Sequence, residues 1–143
     1  MLGKATEYAI RALVYIYMQN QAGKRPGFRE ISKKINSPEQ FTAKILQNLA
    51  REKLVRSMKG RGGGFFFDHP AALLPLYEVI RVVEGESFFN KCGFGLKRCN
   101  SENPCPLHDE YSPVRERFFS LVKNVTIQSL AAKIYDNKGV LTR

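Results

Sequence analysis

Apolar residues recur at three- and four-residue steps through the first fifty positions, after which the period changes. Ala5, Tyr8, Ala9, Ala12, Leu13 and Ile16 place one buried face on a helix spanning 4–20. The polar run from Gln19 to Lys24 ends it, and Arg25-Pro26-Gly27 is a turn. Phe28, Ile31 and Ile35 mark a short second helix. Ser37, Pro38 and Gln40 read as a capping box with proline at the first helical position. They start a third helix whose buried stripe is Phe41, Ile45, Leu46 and Leu49. Gln40, Ala43, Lys44, Gln47 and Arg51 fall on its opposite face by helical phase.

Beyond this point the pattern shortens. Leu54–Met58 predicts a strand, and Gly62-Gly63-Gly64-Phe65-Phe66-Phe67 begins another after a turn carrying Lys59 and Arg61. Pro75 opens a helix that buries Leu76, Val79, Ile80 and Val83 and stops at Gly85. Ser112-Pro113 caps a longer helix with Val114, Phe118, Leu121, Val122 and Val125 in one stripe and Phe119 beside it. Ile127–Ile134 closes the chain as a short helix, and Tyr135–Arg143 reads as a frayed tail. The expected fold class is mainly α with a small β-hairpin. Two short helices around a tight turn at Asn36-Ser37, followed by a hairpin with a cationic tip, form a winged helix-turn-helix. Three segments follow from this pattern. Residues 1–85 form the winged domain, 86–111 a loop, and 112–143 a helix for dimerisation with its tail.

Charge sharpens the reading of the first segment. The net charge of the 143-residue chain is +10. Residues 1–70 carry 13 Lys/Arg against 5 Asp/Glu, while residues 71–143 carry 10 against 8. The basic excess sits on the winged half and predicts a polyanion partner there, double-stranded DNA. Gln40, Lys44 and Gln47, with Ala43 among them, lie on the face of the third helix that would enter a major groove, where Gln pairs with adenine and Lys with guanine. Arg29, Ser37, Lys59, Gly60 and Arg61 complete the expected DNA-binding set. Glycine lets the backbone approach phosphates closely, and the two wing cations bind phosphate or reach into a minor groove. A nucleotide site is excluded, because the glycines lead into a phenylalanine-rich strand rather than a helix with G-K-[ST]. The chain is therefore not read as an enzyme. The segment Met1–Glu7 lacks the apolar centre of a leader and no run approaches the roughly 20 apolar residues of a membrane span, which predicts a cytoplasmic protein.

The 86–111 segment holds the remaining chemistry. All three cysteines, Cys92, Cys99 and Cys105, and one of the two histidines, His108, are spaced C-x6-C-x5-C-x2-H. Gly93, Gly95, Pro104 and Pro106 make this a shaped loop rather than a helix or strand. The gaps are too wide for the C-x2–4-C knuckle of structural zinc, and an odd cysteine count argues against a disulfide framework. Thiolates select zinc, copper(I) and iron–sulfur centres, and wide gaps suit the larger object. An iron–sulfur cluster, zinc and unliganded thiols all stay open on spacing alone.

Tyr8-Ala9-Ile10-Arg11-Ala12-Leu13, the wing Ser57-Met58-Lys59-Gly60-Arg61-Gly62-Gly63-Gly64, the run Glu78-Val79-Ile80-Arg81-Val82-Val83-Glu84-Gly85 and the cysteine loop occur in this order. Together they resemble the bacterial winged-helix regulators of the IscR/NsrR type (Rrf family), from about Leu2 to Ala131. The resemblance implies a homodimeric transcription regulator, acting as a repressor on a palindromic operator and sensing iron–sulfur status, redox state or nitric oxide. It implies a two-iron or four-iron cluster on Cys92, Cys99 and Cys105. His108 matches the fourth ligand of the biogenesis regulators, and Glu7 stands where the nitric-oxide sensors place an acidic one. The stripe Val114, Phe118, Leu121, Val122 and Val125 is the implied dimerisation surface. The alternative within the family is a cluster-free regulator that senses through thiols, a small molecule or a protein partner. The chain has a six-residue first cysteine gap where some members have five, Lys59 where many have arginine, and Ala43 on the reading face where a discriminating polar residue can occur.

Overall fold

The computed structural model describes residues 2–143. Helix α1 (Lys4–Gln21) is the hub, in contact with α2 (Phe28–Lys34), α3 (Glu39–Arg51), α4 (Leu76–Glu84) and α6 (Ile127–Tyr135). Its face of Ala9, Ala12, Leu13 and Ile16 is fully buried against Ile31, Ile35, Leu46, Leu49, Val79, Ile80, Ile127 and Ala131. Small residues on α1 let neighbouring helices come close, and the large ones arrive from the partners. A buried leucine or isoleucine contributes about 1.5–3 kcal/mol relative to an exposed one, so this shared face holds the fold together.

The turn between α2 and α3 is built from backbone and one long side chain. Asn36 takes the left-handed conformation (φ 55°), which asparagine tolerates better than most residues. The Ser37 N–H then donates back to Ser32 O at 2.9 Å. Arg11 of α1 reaches across and donates to Ile35 O at 3.2 Å, satisfying a carbonyl at the end of α2. Tyr15 donates to Glu30 Oε2 at 2.6 Å and ties the other side of α2 to α1.

The wing is an antiparallel pair, β1 (Arg56–Met58) and β2 (Gly64–Phe66), in the register Arg56–Phe66, Ser57–Phe65 and Met58–Gly64. Gly64 lies at φ 141°, and a Cβ there would meet Arg25 O at 2.2 Å. That close approach arises because Phe65 N–H donates to Pro26 O at 2.9 Å, which seats the hairpin on the α1–α2 loop. Asn20 Nδ2 donates to Lys24 O at 2.8 Å and to Phe65 O at 3.3 Å, and Asn20 Oδ1 accepts from Phe67 N–H at 2.8 Å.

A 3-10 turn over Glu86–Asn90 leads from α4 into the cysteine loop, and α5 (His108–Asn124) follows it. The C-terminal end of α5 is clasped by backbone: Leu76 N–H donates to Val125 O and Ile127 N–H to Leu74 O, both at 2.9 Å. Gln128 adds two bonds to the same strap, accepting from Leu74 N–H at 3.0 Å and donating to Ala72 O at 2.9 Å. Helix α6 opens with a capping box of Thr126 and Ser129. No helix among the described residues is long and apolar enough to cross a membrane.

Four local expectations are corrected. No capping box forms at Ser37 and Gln40, since α3 starts at Glu39 with Pro38 at its cap. The Ser37 hydroxyl instead bonds Thr42, whose own hydroxyl donates to Pro38 O at 2.8 Å. That takes Thr42 into the core and leaves Phe41 38% exposed, edge-on to Tyr8. Helix α5 begins at His108, not at Ser112-Pro113: Asp109 and Glu110 suit a helix N-terminus, and Pro113 lies inside the helix, where it gives up the backbone bond to Asp109. The predicted tail is also more ordered. Tyr135 belongs to α6 with its hydroxyl 3.4 Å from Met18 O, and Leu141 packs on the core.

Candidate functional sites: the wing face and the cysteine loop

The first site is a basic surface on α3 and the wing. Gln40, Lys44 and Gln47 are exposed on α3, and Ala43 is half-buried between them. Arg29 pairs with Glu39 at 3.1 Å, so part of its charge is spent inside the protein. Lys59, Gly60 and Arg61 are exposed at the wing tip, and neither cation has an ion pair among the described residues. Gly60 (φ 92°) and Gly62 (φ 78°) turn the tip through a conformation that glycine adopts freely, closed by Gly63 N–H donating to Gly60 O at 3.0 Å. The strand bodies are immobilised from behind, with Arg25 stacked on Phe66 at 4.0 Å and Arg56 paired to Asp68 at 3.0 Å. Sequence reasoning misses Arg25 and Asn20, because they serve the wing from the far end of α1. This arrangement presents two unpaired cations on a fixed hairpin beside an exposed helix face, which is the shape of a duplex-binding surface.

The second site lies at the opposite end of α4. The three thiols are free; Cys92 is buried, and Cys99, Cys105 and His108 are half-buried. The loop brings them together in two pairs. Cys99 Sγ is 3.3 Å from His108 Nδ1. Burial pushes the Cys92 thiol up, but the backbone N–H groups of Phe94 and Leu96, the Cys105 side chain and Gly95 N–H turn toward its sulfur and leave it below the ordinary cysteine range. Backbone bonds shape the loop around these pairs: Gly95 N–H to Cys92 O at 3.0 Å, Cys99 N–H to Asn90 O at 3.2 Å, and His108 N–H to Cys105 O at 3.1 Å.

Helix α5 forms the wall behind the loop. Tyr111 lies flat enough against Gly93 that a Cβ there would sit 2.5 Å from the ring, so the loop can dock only with glycine at that position. One further turn along, the Arg115 guanidinium is turned to Cys99, whose hydrogen bond and charge hold it above its ordinary range. Its Nη1 is buried and has no partner among the described residues. A buried charged donor left unpaired costs about 1–3 kcal/mol or more. Arg115 and Lys91 border a cavity of about 290 Å³ that Cys92 enters, with Phe88 and Phe89 as its apolar wall. Tyr111 and Arg115 follow His108 by three and seven residues along α5, a helical phase that names them once the helix start is placed correctly.

The donor set suits a thiolate-held, anionic group. It consists of three sulfurs, one imidazole and a cation with an unused donor. Among the described residues, no three of these side chains already converge on a point where a single ion could bind. Glu7 pairs with Lys4 at 3.4 Å, and no hydrogen bond or ion pair joins it to the loop. The stripe on α5 divides in two: Val122 is in the core and Val125 ends the helix beside it, whereas Val114 and Leu121 are 53% and 52% exposed with Phe118 between them.

A family model, Rrf2, described as an iron-dependent transcriptional regulator, matches residues 2–133. The chain belongs to the Rrf2 family. Among curated relatives, Protein aau3 of Rhizobium meliloti (strain 1021) is 32% identical over 130 residues, covering 90% of this chain and 83% of its own. Two solved structures share the fold at 15% identity and a TM-score of 0.72. CymR, the global cysteine regulator of B. subtilis, matches over 92% of this chain and 96% of its own. IscR of T. potens matches over 98% and 92%. This Rrf2 protein is thus a winged-helix transcriptional regulator, not an enzyme.

Proposed function

We propose that this Rrf2 protein is a cytoplasmic, homodimeric repressor whose affinity for a palindromic operator is set by an iron–sulfur cluster in the 92–108 loop. One observation carries the reading. The chain's only three thiols lie in one loop that ends at His108, against a guanidinium whose buried nitrogen has no partner among the described residues. Cys92, Cys99 and Cys105 would hold the group as thiolates, with His108 as fourth ligand. When bound, it supplies a centre that gains or loses an electron and reacts with oxygen or nitric oxide.

The protein's own part is mechanical and electrostatic. His108 is the first residue of α5, so ordering the loop fixes where that helix begins. Val114, Phe118 and Leu121 would bury against a second copy, and α5 would set the spacing of two reading helices and two wings. Lys59 and Arg61 then bind phosphate, with Gln40, Lys44 and Gln47 at base edges. Loop state changes operator affinity only by its differential interaction with the two dimer geometries, typically about 1–3 kcal/mol, or five- to 150-fold.

The test is anaerobic purification with assays for iron and acid-labile sulfide per chain and a visible spectrum. Matched iron and sulfide, lost in Cys99→Ser, is the expected result; a colourless chain with neither sinks the cluster. A second reading is favoured by the free thiols and by the fold shared with CymR: a cluster-free regulator that senses through those thiols. It predicts operator binding that responds to thiol oxidation with no iron present.

A further inference from the structure

The guanidinium of Arg115 carries the one buried side-chain donor that the fold leaves without a partner among the described residues. Its side chain leaves α5 two turns after His108, on the same face, and meets the loop from behind. One part of it is turned to Cys99, while Nη1 is sealed from solvent with no partner among the described residues. Arg115 makes no ion pair among the described residues, and the cavity it borders is lined by Phe88, Phe89, Val114 and Phe118 with Lys91, Cys92 and Tyr111. A half-buried cation with one donor nitrogen sealed from water and unpaired among the described residues belongs where an anion is to be met.

We infer that Arg115 is a positioning residue of the cysteine loop, donating to an anionic sulfur of the bound iron–sulfur group and setting both how tightly that group is held and how readily it is reduced. The inference rests on the cluster reading above and names the electrostatic control of the same site. A nearby fixed positive charge stabilises the more negative, reduced form, and hydrogen bonds to sulfur act in the same direction. Arginine suits this task better than lysine, because its rigid fork can address Cys99 and a second sulfur at once. Partners outside the ligand set commonly alter affinity by roughly 10- to 100-fold when removed.

The experiment compares four anaerobically reconstituted full-length proteins: wild type, Arg115→Gln, Arg115→Lys and Lys133→Gln, the last losing an exposed charge on α6. Midpoint potential is read by dye-mediated titration, and the half-time of iron loss is read against a chelator. Arg115→Gln should move the midpoint more negative than Lys133→Gln does and lose iron roughly 10- to 100-fold faster. Arg115→Lys should keep a midpoint near wild type yet lose iron faster, having the charge without the fork. A midpoint and half-time for Arg115→Gln equal to those of Lys133→Gln overturns the role of Arg115 and leaves the cluster standing. If Arg115→Gln does not fold, a lysine variant that loses iron no faster than wild type overturns it alone. A wild type that takes up neither iron nor sulfide overturns the cluster reading and this inference with it.

Discussion

Asn20 pairs with Phe67 as though it were a strand residue: its Oδ1 accepts the Phe67 N–H at 2.8 Å while its Nδ2 reaches Phe65 O at 3.3 Å. A two-stranded hairpin is marginal in water on its own. One amide at the end of α1, with Pro26 O bonded to Phe65 N–H, gives this hairpin a third edge. Asn20→Ala removes these bonds and leaves the Phe67 N–H without a partner. It should cost about 1–3 kcal/mol in urea denaturation. It should also weaken operator binding, because the wing loses its fixed direction. Unchanged stability would show that the wing is seated without it.

Lys59→Ala with Arg61→Ala should lower DNA affinity at every sequence tested. Removing one cation from a phosphate reduces the salt slope of log K by about 0.9. Binding measured at several salt concentrations checks this, and a slope unchanged in the double variant removes the wing tip from the interface.

The fourth ligand is decided by two substitutions. His108→Ala should reduce iron retained per chain, since His108 already lies 3.3 Å from the Cys99 sulfur. Glu7→Ala should leave it unchanged, because Glu7 serves only the exposed pair with Lys4. The reverse result would assign the role to Glu7.

The α5 stripe separates association from folding. Leu121→Asp places a charge on an exposed position and should yield folded monomer in sedimentation. Val122→Ala cuts into the core, where Val122 is 1% exposed, and should cost stability instead, on the order of 1–3 kcal/mol. A dimer that survives Leu121→Asp would place the interface elsewhere.

Tyr15→Phe removes the 2.6 Å bond to Glu30 and should cost about 0.5–1.5 kcal/mol. Burial, then the bond and charge of Glu30, push the Tyr15 hydroxyl well above the ordinary phenol range. A raised value in the fold means the contribution is fully present below the ordinary phenol pKa of about 10 and lost as pH rises through the folded one. Urea midpoints for wild type and variant should therefore stay a constant distance apart from about pH 6 to about pH 9.

Helix positions and the hairpin can be read from the sequence because their signals are periodic and local. Ala9, Ala12, Leu13 and Ile16 announce α1, and Pro75 and Gly85 bracket α4. Misreadings arise where a local rule competes with a tertiary partner. Ser37 has a helix to cap but finds Thr42, and Ser112-Pro113 looks like a start because the four residues before it read as loop. In the cysteine loop, spacing names candidate donors but not the wall behind them. Tyr111 and Arg115 are ordinary helix residues until the loop folds back on them, and the roles of Asn20 and Arg11 depend on partners 24 to 47 residues away.

The clasp that joins Leu74–Leu76 to Val125–Ile127 makes α5 a lever. The helix is pinned by backbone at its last turn, packs at mid-length through Phe118 and Phe119 on Phe88, Phe89 and Tyr77, and meets the cysteine loop at its first. Its 17 residues run about 25 Å, so a tilt of about 10° at the clasp displaces the loop end by about 4 Å. The fulcrum lies beside α4 and α6, two of the four helices that pack on α1. On the proposed function, a change of order among the three sulfurs and one imidazole would act at the end of α5 far from the clasp.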